Sequence, residues 1–260
     1  MKNKIEITGL VPAAGYASRI SPIPCSKEIY PVNYHTDGND KFKSPKVISA
    51  SLFEKLSIAG IEKVYMIIRK GKWDIPQYLG TGSNFGLNIA YLVTDPTPGT
   101  PQTIDKSYHF IKNKRVLFGF PDIQIAHDNP FKKLLKQLDG ENADIVLGLF
   151  KTDKSQKFDM VEIDKNGRVT SIIIKPEVSK LKYTWLLAAW KPAFTDFLHD
   201  FLSSKQDGTN TKIQEEIYVG NIIQEAIKNN LKVSSVKFPK SSFIDIGTFE
   251  DLKKAINLNL

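Results

Sequence analysis

The chain is short of cysteine, of arginine and of long apolar runs, and each shortage excludes something. A single cysteine in 260 residues, Cys25, rules out an internal disulfide and points to a reducing, cytoplasmic setting. It has no histidine partner nearby in sequence and reads as structural. No stretch of 18 or more apolar residues occurs, so no membrane span is expected. The charged start, Met1 to Ile7, leads into only a short apolar stretch, Leu10 to Ala14. That stretch meets Arg19 too soon to form a signal peptide. The 36 basic and 28 acidic residues leave a net charge of +8, yet only Arg19, Arg69, Arg115 and Arg168 are arginines. Bidentate reading of bases and phosphates favours arginine, and the lysines are scattered. A nucleic-acid partner is therefore not expected; a solvated surface and an anionic small substrate are.

Several motifs are missing too. The first strand is not followed by G-x-x-x-x-G-K-[ST], which excludes a P-loop. G-x-G-x-x-G is absent, and the second strand ends in Ile68-Arg69-Lys70, the wrong charge for a ribose diol. G-x-S-x-G is absent, and His35, His109, His127 and His199 show no metal-ligand spacing.

What is present is an alternation of apolar runs and helical patterns. Ile5 to Ala14 reads as a buried strand, followed by a helix over Ser49 to Ala59 that Gly60 stops. Strands follow at Lys63–Ile68, Leu87–Val93, Arg115–Phe120 and Asp144–Phe150, with helices over Thr100–Ile111 and Phe131–Leu138. Beyond these, Met160–Asp164 and Val169–Ile174 form a hairpin around Asn166-Gly167. Tyr183–Trp190 and Val233–Phe238 read as strands, and Pro192–Leu202, Ile213–Lys228 and Thr248–Asn257 as helices. Continuous apolar strands alternating with helices predict an α/β fold, with a mostly parallel sheet covered on both faces. The expected organisation is one domain, with a nucleotide-binding half (1–150) and a second half (151–260) on the same sheet.

Five segments carry chemistry. "PAAGYASRISPIPCSKEIYPV" joins the small residues Ala13, Ala14 and Gly15 to two cations, Arg19 and Lys27, a combination suited to a polyphosphate or equally to a solvated loop. Asp122 follows a buried strand directly, at the sheet end where open α/β folds bind ligands, and a hard carboxylate there suits Mg²⁺; a loop-capping aspartate before Ile123 is the alternative. Asp245 lies between isoleucines in "FIDIGTFEDL", so it either faces solvent or holds a metal. Lys175 leaves an apolar strand, where it could hold a phosphate or be an ordinary strand-end lysine. "TPGTPQT" combines Gly99 with Gln102, whose amide could read a base or sugar edge; a plain turn and helix cap is the alternative.

Taken in order, these segments resemble the sugar-phosphate nucleotidyltransferases, which include glucose-1-phosphate thymidylyltransferases and UTP–glucose-1-phosphate uridylyltransferases. The resemblance runs from Gly9 to Ile256 and is most specific at "PAAGYASR…PCSKEIYPV" and "FIDIGTFEDL". It implies a Rossmann-like nucleotidyltransferase fold and attack of a sugar 1-phosphate on the α-phosphorus of a nucleoside triphosphate, with release of pyrophosphate. UTP or dTTP is the implied donor, with CTP as an alternative. The resemblance gives Ala13, Ala14, Gly15, Gly99, Thr100 and Gln102 to the nucleotide. Arg19 and Lys27 fall to the departing phosphates, Asp122 and Asp245 to Mg²⁺, and Glu162 and Lys175 to the sugar phosphate. Relatives that assemble as dimers or tetramers imply, by analogy, a homo-oligomer.

The chain departs from the family pattern at Ala17 and Ser18 in the opening loop, and at Pro121 before the metal aspartate. It departs again at Asp159, Ile174, Leu187 and Ala188 around the sugar. These changes predict an active enzyme with an unusual acceptor; a nucleotide-binding homologue without turnover is the competing reading.

Overall fold

The computed structural model describes residues 5–36, 43–206 and 216–257. The chain opens with β1 (Ile7–Ala13), then a hairpin of β2 (Pro31–Thr36) and β3 (Lys43–Val47), α1 (Ala50–Ile58), β4 (Lys63–Arg69) and α2 (Asp74–Leu79). Next come β5 (Asn88–Thr94), α3 (Thr100–Asp105), α4 (Tyr108–Ile111), β6 (Arg115–Gly119), β7 (Ile123–Ile125) and α5 (Pro130–Gly140). The second half holds β8 (Ile145–Lys151), β9 (Met160–Ile163), β10 (Val169–Ile173), β11 (Tyr183–Trp190) and α6 (Pro192–Gln206). It closes with α7 (Val219–Lys228), β12 (Val233–Phe238), β13 (Phe243–Asp245) and α8 (Phe249–Asn257).

Nine strands form one mixed sheet. Its main path runs β10-β9-β11-β6-β1-β4-β5, and β8 lies between β11 and β12. The pairs β1–β4, β1–β6, β4–β5 and β8–β12 are parallel; β11 runs antiparallel to β6 and β8, which joins the two halves through one ladder. Every residue of β6 is buried, as a strand covered on both faces requires. Leu52, Leu56, Phe131 and Leu134, from α1 and α5, pack one face. Ile104, Phe194, Leu198 and Ile222, from α3, α6 and α7, pack the other. At the end of β6 the helix α1 comes very close: a Cβ on Gly119 would stand 2.5 Å from Leu52 Cδ1. A larger residue there, three positions before Asp122, would force Leu52 to shift.

Two predicted helices differ from the structure. The pattern over Thr100–Ile111 breaks at Lys106-Ser107, where the Ser107 hydroxyl donates to the Ile104 carbonyl at 2.6 Å. That local bond competes with the helix ladder and splits the segment in two. Of the helix read over Ile213–Lys228, residues 213–215 lie outside the described residues, and the described helix begins only at Val219. Tyr218 is extended, and its N–H is taken by Asn221 Oδ1 at 2.9 Å, which fixes the start.

A second, two-stranded ribbon pairs β7 with β13, antiparallel, with Asp245 opposite Ile123. The Ile246 N–H donates to the Asp122 carbonyl at 3.2 Å, one step further along. This ribbon brings together two aspartates 123 positions apart in sequence.

Candidate active site

The loop after β1 is shaped by three residues. Ala17 adopts a left-handed backbone, φ +55°. The position thus keeps a glycine-like conformation although it carries alanine. A single 3₁₀ turn, Lys27–Ile29, then sends two neighbouring side chains in different directions. Lys27 ion-pairs with Asp122, and both are largely buried. Glu28 ion-pairs with Lys72 at 2.7 Å, and the two side chains are 1% and 5% exposed. Lys72 also donates to the carbonyl of Ala13 at 2.8 Å. The loop is therefore anchored at its root by one buried ion pair and aimed at the sheet end by another.

The two aspartates of the ribbon have opposite titration behaviour. Burial alone would raise Asp122, but the ammonium of Lys27 outweighs it and holds this carboxyl below the usual range. Asp245 is pushed up to about 6, first by burial and then by the charge of Asp122, against the pull of Lys27 and Arg19. Neighbouring carboxylates whose environments separate them in this way are a frequent mark of a functional site. Arg19 joins them: a Cβ on Gly247 would stand 3.2 Å from both Arg19 Nη2 and the Asp245 carboxylate. The backbone at Gly247 is thus open to both groups.

Arg19, Thr100, Asp122, Lys175 and Asp245 all line one cleft of about 280 Å³. Its remaining wall includes Phe120, Phe158, Asp159, Trp185 and Tyr218. Lys175 is held in a left-handed backbone, φ +39°, and its ammonium lies over the Tyr218 ring at 3.7 Å from the centroid. The Tyr218 hydroxyl donates to Glu216 Oε2 at 2.7 Å; that bond, with burial, pushes its pKa up to about 12. At the far rim, Thr248 caps α8 by accepting from the Asp251 N–H at 3.3 Å, while Asp251 takes Lys157 at 2.8 Å.

The nucleotide residues of the resemblance fall in several places. Ala13 and Ala14 are buried, and the Ala13 carbonyl is occupied by Lys72. A Cβ on Gly15 would meet no protein atom within 4 Å, so no internal contact demands a glycine there. Gly99 has an internal reason: a Cβ would stand 2.9 Å from the Ile217 carbonyl oxygen. Thr100 faces the main cleft. Gln102 instead lines a neighbouring cavity of about 330 Å³, with Asp95, Lys106 and Ile217. Its Oε1 is buried without a hydrogen-bond partner.

Glu162 is not brought to the cleft. It is exposed on β9, one residue beyond the buried pair Met160 and Val161. The carboxylate that does reach the cleft from this region is Asp159. Residues that sequence reading passed over include Lys72, Glu28, Trp185 and Tyr218. Cys25 is half-buried, and burial pushes its thiol up, so it stays protonated and unreactive.

Asp159 offers a pH test. Burial raises its carboxyl to about 6, against Lys175 and the Trp185 side chain, which pull it down. An unfolded aspartate titrates near 3.9. Between about pH 4 and pH 6 the folded chain holds this proton and the unfolded chain loses it, so the contribution of Asp159 to stability falls as pH rises through that window. Asp159→Asn is thus expected to match the unsubstituted chain near pH 4 and to exceed it by up to about 3 kcal/mol at pH 7. Paired thermal melts across that range check this; a difference that stays flat with pH contradicts it.

Arg19 from the loop after β1, two carboxylates at the carboxyl end of a mixed α/β sheet and Lys175 meet in one cleft, an arrangement suited to a polyanion and a cation. The chain belongs to the nucleotidyl transferase family, whose model matches residues 9–260. It is 27% identical to the glucose-1-phosphate thymidylyltransferase of Neisseria meningitidis over 175 residues, which are 66% of this chain and 57% of that protein. It is 23% identical to the low-salt glycan biosynthesis nucleotidyltransferase Agl11 of Haloferax volcanii, over 97% of this chain and 66% of that one. The aligned stretches thus span less than two thirds of both relatives. The fold matches that of UDP-glucose pyrophosphorylase complexed with UDP-glucose, with a TM-score of 0.77 over 98% of each chain at 17% identity. Among the described residues no helix is long and apolar enough to cross a membrane.

Proposed function

We propose that this chain joins a nucleoside triphosphate to a sugar 1-phosphate, releasing pyrophosphate and a nucleotide sugar. UTP or dTTP is the favoured donor. The observation that carries this reading is the convergence of Arg19, Lys175, Asp122 and Asp245 in one cleft at the end of β6 and the β7–β13 ribbon. The reaction needs cations for two polyanions and little covalent help from the protein. Lys175 holds the acceptor phosphate, one of whose oxygens forms the new bond to the α-phosphorus. The bond from the α-phosphorus to the bridging oxygen breaks, and its electrons leave with pyrophosphate. Arg19 and Lys27 neutralise the departing charge. The attacking oxygen is already ionised, so no residue removes a proton. The names of the relatives support the same reaction class.

Two carboxylates in one cleft suit Mg²⁺, which takes one or two protein carboxylates and completes its shell with phosphate and water. Asp122 and Asp245 are the residues that would hold it, and bound there it would draw charge off the leaving group. Among the described residues no cluster of three or more carboxylate, histidine or cysteine ligands competes for that assignment.

A matrix of nucleoside triphosphates against sugar 1-phosphates, read by pyrophosphate release with and without Mg²⁺, tests the proposal. Release that needs both substrates and the cation is expected. Nucleotide binding with no release anywhere in the matrix supports the non-catalytic reading instead.

A further inference from the structure

The acceptor wall of the cleft holds a group that phosphate transfer does not use. Asp159 lines the cleft beside Lys175, Thr184, Trp185 and Tyr218. Its Oδ1 is buried and has no hydrogen-bond partner. Its other oxygen sits against Gly220, in the first turn of α7. Ile174, where the family pattern has glutamate, also turns that way: a Cβ on Gly220 would stand 2.7 Å from Ile174 Cδ1 and would strike the Asp159 carboxylate. Glycine at 220 thus leaves room for the carboxylate beside the helix. A buried carboxylate oxygen left unpaired is costly, and the cost is removed when a donor reaches it.

Two further observations say what kind of donor. First, the wall around Asp159 is aromatic. Trp185, Tyr218 and Phe158 line it, and Trp185 stacks obliquely against Phe120 with centroids 5.7 Å apart. The hydroxyls that line the cleft are those of Thr100, Thr184, Tyr218 and Thr248, and Tyr218 already gives its proton to Glu216. Second, the site already accepts a cation on one ring: the Lys175 ammonium rests on the Tyr218 face at 3.7 Å. If Lys175 turns to an incoming phosphate, that face is freed next to a carboxylate with one oxygen, Oδ1, still without a partner. A carboxylate together with aromatic faces is a cation-binding combination.

We infer that Asp159, with Tyr218 and Trp185, selects an acceptor phosphomonoester that carries a protonated amine. The inference rests on the transferase reading above and narrows it. The amine can belong to an amino sugar phosphate or to a simpler amino alcohol phosphate; both present the same pair of groups, a phosphate for Lys175 and an ammonium for Asp159.

The test compares phosphomonoesters matched except for that charge. Glucosamine 1-phosphate and N-acetylglucosamine 1-phosphate share a ring, and O-phosphoethanolamine carries the amine without a ring. Binding is read by calorimetry and turnover by pyrophosphate release in the presence of Mg²⁺ and UTP or dTTP. Glucosamine 1-phosphate is expected to bind about tenfold or more tightly than its acetylated form. In Asp159→Asn that ratio should collapse to within about twofold, and in Tyr218→Leu it should fall part of the way. A loss of folding or of general site structure would weaken both ligands alike and leave the ratio standing. O-phosphoethanolamine binding as well as the amino sugar identifies the smaller acceptor; amine preference only on the ring identifies the sugar. Equal binding of the amine and acetyl forms by the unsubstituted chain overturns the inference, and so does a ratio that survives Asp159→Asn. Pyrophosphate release with acceptors that lack an amine, at the same efficiency, also defeats it while leaving the transferase reading intact. Amine-selective binding with no pyrophosphate release from any acceptor has the opposite outcome: it sinks the transferase reading and retains Asp159 as the selecting group.

Discussion

Replacing Lys72 with methionine is expected to destabilise the fold by about 3–5 kcal/mol, the largest stability effect of any single side-chain change near the site. Lys72 and Glu28 are both buried, with Nζ at 2.7 Å from each carboxylate oxygen. Burial pushes Glu28 up and Lys72 down, and each charge pulls the other back. Methionine fills similar volume but takes away the direct partner of the buried Glu28 carboxylate, leaving only the charge of Lys27 to act on it, and it frees the Ala13 carbonyl at the end of β1. Denaturant midpoints at pH 7 measure the loss. Two companion results separate charge from packing. The deficit should shrink as pH falls, because the stranded Glu28 then takes up a proton. The double variant Lys72→Met with Glu28→Gln should recover part of the loss, because no buried charge remains. A single-variant loss below about 1 kcal/mol would mean that water reaches the pair. The effect would also reach the site, since Lys27 is the residue before Glu28 on the same turn.

Much of the fold can be read from the sequence for a simple reason. Strands buried on both faces must be apolar throughout, so β1, β4 and β6 appear as unbroken runs. The same runs mark the sheet ends, which is what singles out Asp122 just after β6. The Lys72–Glu28 pair left no such trace. The partners lie 44 positions apart, and a lysine just after a strand looks like any solvated lysine until its burial is known. Motif order fixes the element that carries a side chain but not where that side chain ends up: Glu162 is exposed on β9, and Gln102 on α3 lines a neighbouring cavity. The short β7–β13 ribbon was hidden because its three-residue strands carry too little pattern to register, although this ribbon sets Asp122 beside Asp245. The departures Ala17 and Asp159 were visible, but their meaning was not. The first keeps a left-handed backbone, and the second puts a carboxylate on the acceptor wall.

Asp122→Ala is expected to lower the rate of pyrophosphate release by about 10³-fold, with much less effect on stability than the loss of Lys72. Asp122 links the opening loop to the β7–β13 ribbon: it ion-pairs with Lys27, its backbone carbonyl fixes Ile246 in the ribbon, and its charge is part of what holds Asp245 near 6. Alanine keeps the backbone bond, so the ribbon should survive. The side-chain loss acts in two ways. The carboxylate proposed to carry the cation disappears, and Lys27 loses the partner that aims it from the loop after β1. A second consequence follows from electrostatics alone. Without the neighbouring negative charge, Asp245 should titrate lower than about 6, and Arg19 and Lys27 should pull it further in that direction. Proton uptake by Asp245 in the metal-free chain, followed by NMR titration, is then expected to move from near pH 6 to lower pH in Asp122→Ala. Asp122→Asn should behave like the alanine variant in rate, since an amide keeps the shape but not the charge. Should Asp122→Ala instead retain activity within tenfold while Asp245→Ala abolishes it, the cation would have to be held by Asp245 and phosphate alone, and Asp122 would serve only to orient Lys27.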